Sequence, residues 1–325
     1  MESTAQASSP QPGSHAIRIG PAGWAYKDWE GIFYPPGLQH RKIHPLEYLA
    51  RFFDTAEISD SLDAPLKPEL ARFWARKVAA VNPDFLFTAR LYRAFTHSPI
   101  AVSGPTSAAT IRPTDEDETR TREGLDALAS EGRLGALLIQ FPLSFKNTSL
   151  NREYLERLLR QFIEYPRVVE VRDSSWNNAD TLAAFAQKNV GFCNIDLPAP
   201  ESLLVPAPIP APSVAYVRLN GRHADDWLDS DYRNDSLNYL YKERELEDWK
   251  ARIEKVAQTS PTTYVVAGNH VEGKAAVNAL ELIAMLSGKL VLAPPALIQK
   301  YPELRKFADP EEDFGVGGSS MPRPA

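Results

Sequence analysis

Short apolar runs recur along the chain from Ile17 to Ala267, and longer segments with helical periodicity separate them. Most of these runs are apolar throughout instead of alternating with polar residues, which is typical of strands covered on both faces. The runs predict eight strands, at Ile17–Gly20, Thr55–Ile58, Phe85–Leu91, Gly135–Phe141, Arg167–Arg172, Gly191–Ile195, Val214–Leu219 and Thr262–Ala267.

The segments between these runs place apolar residues on one face of a helix. We expect each such stripe to be buried, and Asp180 to cap the helix that follows Trp176. The stripes are Leu70, Phe73, Trp74 and Val78; Leu150, Tyr154, Leu155, Leu158, Leu159 and Phe162; Leu246, Trp249, Ile253 and Val256; and Leu280, Ile283 and Leu286.

About eight strand–helix units in succession, with no break in composition, predict an α/β fold with a single (β/α)8 TIM-barrel-like domain over residues 17–300. An open doubly wound sheet is the alternative, but it usually has fewer strands, and no G-x-G-x-x-G motif or P-loop follows any run. The proline-rich residues 198–212 predict a stiff extended connection between strands six and seven.

Both ends of the chain differ in composition from the part between them. Residues 1–16 are small, polar and proline-containing, and we interpret them as a disordered leader and not a signal peptide. Residues 301–325 are predicted to be a mostly disordered tail. No apolar run approaches the ~20 residues that a membrane span needs, so we expect no membrane partner.

Composition and charge narrow the class of protein without naming a reaction. The 325 residues are 43% hydrophobic and 24% charged, as in an ordinary globular protein. The net charge of −6 argues against a broad basic surface for duplex DNA, although it does not exclude a local basic cleft. The single cysteine, Cys193, excludes an internal disulfide and a cysteine-cluster metal site, and it fits a cytoplasmic location.

Polar and aromatic residues follow the predicted strands at their carboxyl ends, where TIM barrels form their active sites. If the fold prediction is right, these residues surround one mouth. The candidates for acid–base catalysis are Glu57, His97, Glu170 and His270. The candidates for substrate binding are Trp24, Tyr26, Arg90, Gln140, Arg172, Trp176, Arg218, Asn220, Arg222 and Asn269.

The arginines among these candidates admit two interpretations. Each guanidinium is a planar fork of donors that can clamp a phosphate or a carboxylate. The same arginines can instead form a buried ion-pair network with Glu57, Glu170 and Asp196. Glu170 and Arg172 are two residues apart on one predicted strand and therefore point the same way, which favours a structural pair there.

The first loop is rich in aromatic residues, which can stack against a sugar or a base or can simply pack over the barrel mouth. His97 and His270 can act as acid or base, or can be held by hydrogen bonds within their loops. No H-E-x-x-H or similar spacing gives three ligands for a metal, and we predict neither a metal nor another cofactor. The aromatic residues are Trp24, Tyr26, Trp29, Phe33 and Tyr34.

Several ordered motifs resemble the YecE-like family, also called domain of unknown function 72. They are IGPAGWAYKDWEGIFYPPGL, the glutamate of AEIS, Thr96-His97, LLIQFPLSF, VVEVRDSSW, AYVRLNGR and GNHVEGKAAVNA. The resemblance covers roughly residues 17–287, and it implies a TIM barrel whose biochemical activity is not established. Its characteristic positions here are Trp24, Tyr26, Glu57, His97, Gln140, Glu170, Arg172, Arg218, Arg222, Asn269, His270 and Asn278.

The chain departs from the family pattern at four positions near the expected mouth. Ser59 follows Glu57-Ile58 where the family usually has asparagine, and Arg90 stands for its usual lysine. Asn220 stands for a histidine, and Gly268 for the first asparagine of an N-N-H motif. The resemblance therefore implies an altered substrate or a lost activity.

These observations leave three functional hypotheses. The first is an enzyme that uses carboxylate and histidine acid–base chemistry on a small anionic molecule, phosphorylated or sugar-like. The second is a non-catalytic barrel that binds a nucleotide or single-stranded nucleic acid with the same arginines and aromatics. The third is a barrel with a degenerate site.

Overall fold

The computed structural model describes residues 15–97, 113–196, 214–222 and 237–311. Eight parallel strands form one sheet, in the order β1-β8-β7-β6-β5-β4-β3-β2. The strands are β1 (Ala16–Pro21), β2 (Thr55–Ile58), β3 (Leu86–Arg90), β4 (Leu134–Gln140), β5 (Arg167–Glu170), β6 (Gly191–Asp196), β7 (Val214–Leu219) and β8 (Thr262–Ala267). The TIM-barrel-like fold and all eight predicted strands are therefore confirmed. Residues 198–212 and most of the predicted leader lie outside the described residues.

The two ends of this strand order meet where β1 leads into its loop. A parallel bridge joins Ala22 to Glu57, and the Gly23 amide donates to the Glu57 carbonyl at 2.9 Å. The strands at these two ends are β1 and β2. They lie close together at Gly20 of β1, where an added Cβ would lie 1.8 Å from the carbonyl oxygen of Thr55 in β2. A residue with a side chain therefore does not fit at this closing contact.

Helices cover the outside of the sheet. They are α1 (Pro45–Leu49), α2 (Pro68–Ala79), α3 (Asp115–Ser130), α4 (Ser149–Gln161), α5 (Ala179–Gln187), α6 (Glu243–Ala257), α7 (Lys274–Ser287) and α8 (Pro295–Lys300). Asn178, and not the predicted Asp180, caps α5, because its side chain accepts from the Thr181 amide at 2.9 Å. No helix among the described residues is both long enough and apolar enough to cross a bilayer.

The predicted helical stripes of α4 and α6 are mostly buried, whereas those of α2 and α7 are buried only in part. The four stripe residues of α6 are all buried, and so is most of the α4 stripe, with Leu150 exposed. On α2, Leu70 and Phe73 are 43% and 36% exposed. The buried face of α2 consists of Ala71, Ala75 and Val78, of which the predicted stripe included Val78 alone. These small side chains let the helix lie close to its neighbours, so larger apolar residues are left at its edges.

Packed structure continues beyond the predicted domain boundary at residue 300. Pro302–Lys306 form a short 3-10 helix that buries Leu304. Two further strands, β9 (Val291–Ala293) and β10 (Ala308–Pro310), pair in parallel outside the barrel. The predicted tail, mostly disordered over residues 301–325, therefore begins with packed structure at residues 301–311, and the rest of it lies outside the described residues. The apolar residues that anchor this segment, Leu304 and Ala308, are too few to give a recognisable pattern in the sequence.

Substitution of Gly20 by alanine tests the closing contact. The backbone carbonyl of Thr55 cannot move away without disturbing β2, so we expect Gly20→Ala to lower the free energy of unfolding by about 3 kcal/mol, the upper range for overpacking. Gly132→Ala is the control, because its Cβ would meet nothing within 4 Å and only the positive φ of 64° opposes it. We expect the control to cost about 1 kcal/mol. Equal losses in urea denaturation would contradict the close approach of β1 and β2.

Candidate functional site

A pocket of about 390 Å³ opens at the carboxyl ends of the strands, and we call it the mouth pocket. Six of the predicted site residues line it: Tyr26, Arg90, His97, Arg218, Asn220 and His270. They follow or end strands β1, β3, β7 and β8, so the barrel brings together residues that are far apart in the chain. The remaining predicted residues lie beneath the pocket or beside it.

Below the mouth pocket, Arg218 of β7 joins three other strands through hydrogen bonds. Its Nη1 donates to Glu170 Oε2 at 2.8 Å and to Gln140 Oε1 at 3.2 Å, and its Nη2 donates to Glu57 Oε1 at 3.0 Å. The two carboxylates and Gln140 are fully buried, and the Arg218 side chain is 3% exposed. Strands β2, β4 and β5 are thus tied to β7 through one guanidinium.

Arg90 of β3 contacts two of the acceptors that Arg218 binds, Gln140 and Glu57. Its Nη1 lies 3.4 Å from Gln140 Oε1, and its Nη2 donates to the Ser59 carbonyl at 2.8 Å. Its Nε lies 3.4 Å from Glu57 Oε1, which is an ion pair without hydrogen-bond geometry. Glu57 and Gln140 therefore hold two like-charged guanidiniums close together.

Arg172 completes this group through Glu170, because its Nε donates to Glu170 Oε1 at 3.2 Å. Burial alone would raise the pKa of Glu170, but the attraction and hydrogen bonds of Arg218 and Arg172 outweigh it and hold the pKa below its usual range. The sequence favoured an ion pair between Glu170 and Arg172, and this pair is present. We call Glu57, Arg90, Gln140, Glu170, Arg172 and Arg218 the floor network.

Among the described residues, the floor network contains three guanidiniums and two carboxylates. Asp60 and Asp63 also line the mouth pocket, but they lie at its exposed rim, and the Asp63 side chain is 69% exposed. Solvent and salt screen exposed charges far more than buried ones. The mouth pocket therefore has the guanidiniums of Arg90 and Arg218 at its floor and exposed carboxylates at its rim.

One wall of the mouth pocket is a pair of stacked rings. Tyr26 and His270 are parallel within 5°, with ring centroids 4.1 Å apart. The Trp29 indole donates to the His270 carbonyl at 2.7 Å, which fixes this loop. Burial lowers the pKa of His270, with Asp28 opposing the shift, and its Nδ1 has no hydrogen-bond partner among the described residues. At neutral pH, His270 therefore presents a neutral ring that can accept a proton.

The other residues of the aromatic first loop form core and do not reach the pocket. Trp24, Trp29, Phe33 and Tyr34 are at most 7% exposed and pack against one another or against neighbouring helices. Trp24, for example, meets Trp74 of α2 edge-on at 4.9 Å. Of the two interpretations of this loop, the packed arrangement describes all of its aromatics except Tyr26.

Three predicted binding residues take part in packing beside the mouth pocket. Trp176 is buried, stacks on Phe145 and donates to its carbonyl at 2.7 Å. Arg222 binds Asp196 at 2.7 Å and Glu245 at 2.8 Å, linking β6 to α6. Asn269 donates to the Tyr239 carbonyl at 2.7 Å. None of the three is among the residues that line the pocket.

His97 lines the mouth pocket, and its Nδ1 is 2.8 Å from the Thr96 hydroxyl. The prediction missed Asp60, Asp63 and Arg93, which also line the pocket. All three lie in the loops that directly follow β2 and β3. The selection of residues at the carboxyl ends of strands, which gave Glu57 and Arg90, would therefore also have found them if it had been extended into these loops. No group of three or more metal-ligating side chains is assembled anywhere in the described part of the chain.

A buried polar chain runs from the β8 loop into α7. The Asn269 amide donates to Asn278 Oδ1 at 2.9 Å, and Asn278 donates to Glu281 Oε2 at 2.7 Å. Burial raises the pKa of Glu281 to about 7, with Asn278 opposing the shift and Glu243 adding to it. A carboxyl group whose charge changes near neutral pH thus supports the loop that carries His270.

Glu281 gives the stability of the protein a defined pH dependence. Between its ordinary pKa of 4.5 and about 7, the folded protein binds the proton more tightly than the unfolded chain does, so stability falls as pH rises through this window. The full effect corresponds to about 3 kcal/mol. We expect Glu281→Gln to keep the hydrogen bond with Asn278 and to lose this dependence, being more stable than the wild type at pH 8.

Urea denaturation at pH 5 and pH 8 measures this difference. Glu156→Gln is the control, because Glu156 is a surface carboxylate whose pKa is lowered by its hydrogen bond to Lys188. The control is expected to retain the wild-type pH dependence. A wild-type protein whose stability does not fall over this range would contradict the assignment to Glu281.

Comparison with known proteins places this architecture in a family. The family model described as "Protein of unknown function DUF72" matches residues 18–300. The UPF0759 protein YunF of Bacillus subtilis is 25% identical over 280 residues, which is 83% of this chain and 94% of that protein. The family resemblance inferred from the motifs is thereby confirmed.

Solved structures agree with this comparison. A DUF72 family protein of Thermotoga maritima, TM1631, is 27% identical and superposes with a TM-score of 0.66, over 84% of this chain and all of that one. A DUF72 family protein of Enterococcus faecalis, EF0366, has the same fold, with 23% identity and a TM-score of 0.66, over 83% of this chain and 95% of that one. The match over residues 18–300 identifies the chain as a member of the DUF72 family.

Proposed function

We propose that the mouth pocket binds a small anionic molecule, phosphorylated or sugar-like, and that the protein is an enzyme acting on it by acid–base chemistry. The observation that carries the proposal is that Arg90 and Arg218 line the mouth pocket, whereas Glu57 and Glu170, the carboxylates of the floor network, are fully buried and do not line it. A bound anion can therefore accept hydrogen bonds from these two guanidiniums.

The network also suggests how the acid–base roles are divided. Glu57 and Glu170 are fully buried beneath the arginines and do not line the mouth pocket. Arg218 and Arg172 favour the ionised form of Glu170 and lower its pKa, which makes it a weak base. Their role in the proposal is to hold the arginines in place.

His270 is the proposed proton acceptor. It lines the mouth pocket, its ring is neutral at pH 7, and its Nδ1 is unpaired among the described residues. His97 lines the same pocket and is the proposed proton donor. The neutral state of His270 suits abstraction of a proton from the ligand, since a ring that is already protonated cannot accept one.

The alternative of a single-stranded nucleic-acid binder has less support from this geometry. Base stacking needs exposed aromatic faces, and Tyr26 is the one member of the first-loop aromatics that reaches the mouth pocket. A volume of about 390 Å³ also lies near the lower end for small-molecule sites. We therefore favour a small ligand over a polymer.

Titration calorimetry with inorganic phosphate and propyl phosphate tests the anion site, and propanol serves as the uncharged comparison. We expect both phosphates to bind and propanol not to bind. Arg90→Met removes a guanidinium from the pocket and leaves Arg218 on Glu57, so it should weaken phosphate binding about ten-fold or more, as expected for a lost charge-assisted hydrogen bond.

Two further variants make the result specific. Arg120→Met removes an exposed arginine that pairs with Glu116 on α3, and it should bind phosphate as the wild type does. His270→Gln should retain phosphate binding and abolish turnover of any substrate found in a screen of phosphorylated metabolites. The proposal fails if phosphate does not bind at low salt or if Arg90→Met and Arg120→Met behave alike.

A further inference from the structure

Asn220 is a fully buried residue whose side chain has no partner among the described residues. It directly follows β7 and lines the mouth pocket. Neither its Nδ2 nor its Oδ1 makes a hydrogen bond. Buried amides in folded proteins are nearly always paired, because leaving them unpaired costs free energy. An unpaired amide on a residue that lines a pocket is therefore a sign that its partner arrives with a ligand.

Gly268 is the residue that leaves room for this amide. A Cβ at position 268 would lie 2.2 Å from Asn220 Oδ1. The Gly268 amide donates to the Leu219 carbonyl at 2.8 Å, so the backbone here is fixed to β7. Gly268 is not among the glycines with positive φ, and its backbone does not call for glycine. Glycine is needed here only because the side chain of Asn220 occupies the space.

Asn278 provides the comparison within the same protein. It is also fully buried, but its Nδ2 donates to the Tyr241 carbonyl and to Glu281, and its Oδ1 accepts from the Tyr241 amide at 3.0 Å. Asn278 stabilises the fold through these bonds. Asn220 makes none of them, so its amide does not contribute to the fold in this way.

We propose that Asn220 is the specificity residue of the mouth pocket and that it binds two adjacent hydroxyl groups of the ligand. One hydroxyl accepts from Nδ2 while its neighbour donates to Oδ1, because a carboxamide presents a donor and an acceptor side by side. The inference rests on the proposed function, since it adds this neutral contact to the anionic group bound by Arg90 and Arg218. The ligand class is thus a polyhydroxylated anion, such as a sugar phosphate.

Two other features of the pocket fit such a ligand. The stacked rings of Tyr26 and His270 offer a flat apolar face against which the C–H face of a sugar ring can pack. The unpaired Nδ1 of His270 can accept from a further hydroxyl. Hydroxyl recognition, ring packing and proton transfer would then take place on one side of the pocket floor.

Calorimetry with matched phosphates tests the inference. The hydroxylated probes are glycerol phosphate, ribose phosphate and glucose phosphate, and propyl phosphate carries the same charge without hydroxyls. In the wild type, we expect at least one hydroxylated probe to bind ten-fold or more tightly than propyl phosphate. Asn220→Leu and Asn220→Ser should abolish that preference while leaving the affinity for propyl phosphate within two-fold of the wild type.

The thermal unfolding midpoint of the ligand-free protein is a second measurement. If the role of Asn220 were purely structural, its replacement would lower this midpoint. Leucine has the shape of asparagine without its unpaired polar atoms, so Asn220→Leu should unfold at the same temperature as the wild type or higher. Asn278→Leu is the matched control and should unfold at a lower temperature, because it leaves Glu281 and the Tyr241 backbone without their partner.

The outcomes separate this inference from the proposed function. If propyl phosphate and the hydroxylated probes bind equally, the anion site stands and the role of Asn220 is overturned. If no phosphate binds, both are overturned. A lower unfolding midpoint for Asn220→Leu would also overturn the inference, since it would mean that the amide already has a partner in the free protein.

Discussion

Two carboxylates and three guanidiniums share the buried end of this barrel, and the arrangement of the site depends on how they bind one another. Glu57 and Glu170 have no access to solvent, so each is tolerated only because arginines bind it. Arg218 binds both at once, at 3.0 and 2.8 Å. Each carboxylate also binds a second arginine, Glu57 binding Arg90 and Glu170 binding Arg172, so the members of the network fix one another's positions.

This constraint also determines what is left for a ligand. Arg90 and Arg218 are held on the lining of the mouth pocket by acceptors beneath it, while the carboxylates are covered. The floor of the pocket therefore carries guanidiniums. The group proposed to exchange a proton, His270, and the amide proposed to bind neutral polar groups, Asn220, are on its walls. His270 and Asn220 both follow the strands that lie next to one another, β8 and β7, so they share one side of the pocket.

Much of this could be predicted from the sequence, because continuous apolar runs mark strands buried on both faces and barrel sites form at strand ends. That reasoning selected Arg90, Arg218, Asn220 and His270, and these four residues line the mouth pocket. It could not distinguish residues that face the pocket from those one layer below it, such as Glu57, or beside it, such as Trp176. Sequence position gives the end of a strand, whereas exposure depends on which neighbours pack over the side chain.

Two departures from the predicted pattern have related causes. On α2, Val78 of the predicted stripe is buried together with Ala71 and Ala75, while the larger Leu70 and Phe73 are exposed. At the C-terminus, residues 301–311 pack through few apolar side chains, such as Leu304 and Ala308. A hydrophobic pattern shows neither small residues in close contact nor a packed segment with so few apolar residues.

The most direct measurement of the central claim is the free energy of unfolding of Glu57→Gln against the double variant Glu57→Gln, Arg90→Met. The single variant removes the buried charge that both Arg90 and Arg218 bind, and it should lose about 3–5 kcal/mol. The double variant also removes the Arg90 guanidinium that lost its counter-charge, so it should regain most of that loss. A single variant that loses less than about 1 kcal/mol, as an exposed ion pair would, contradicts the account.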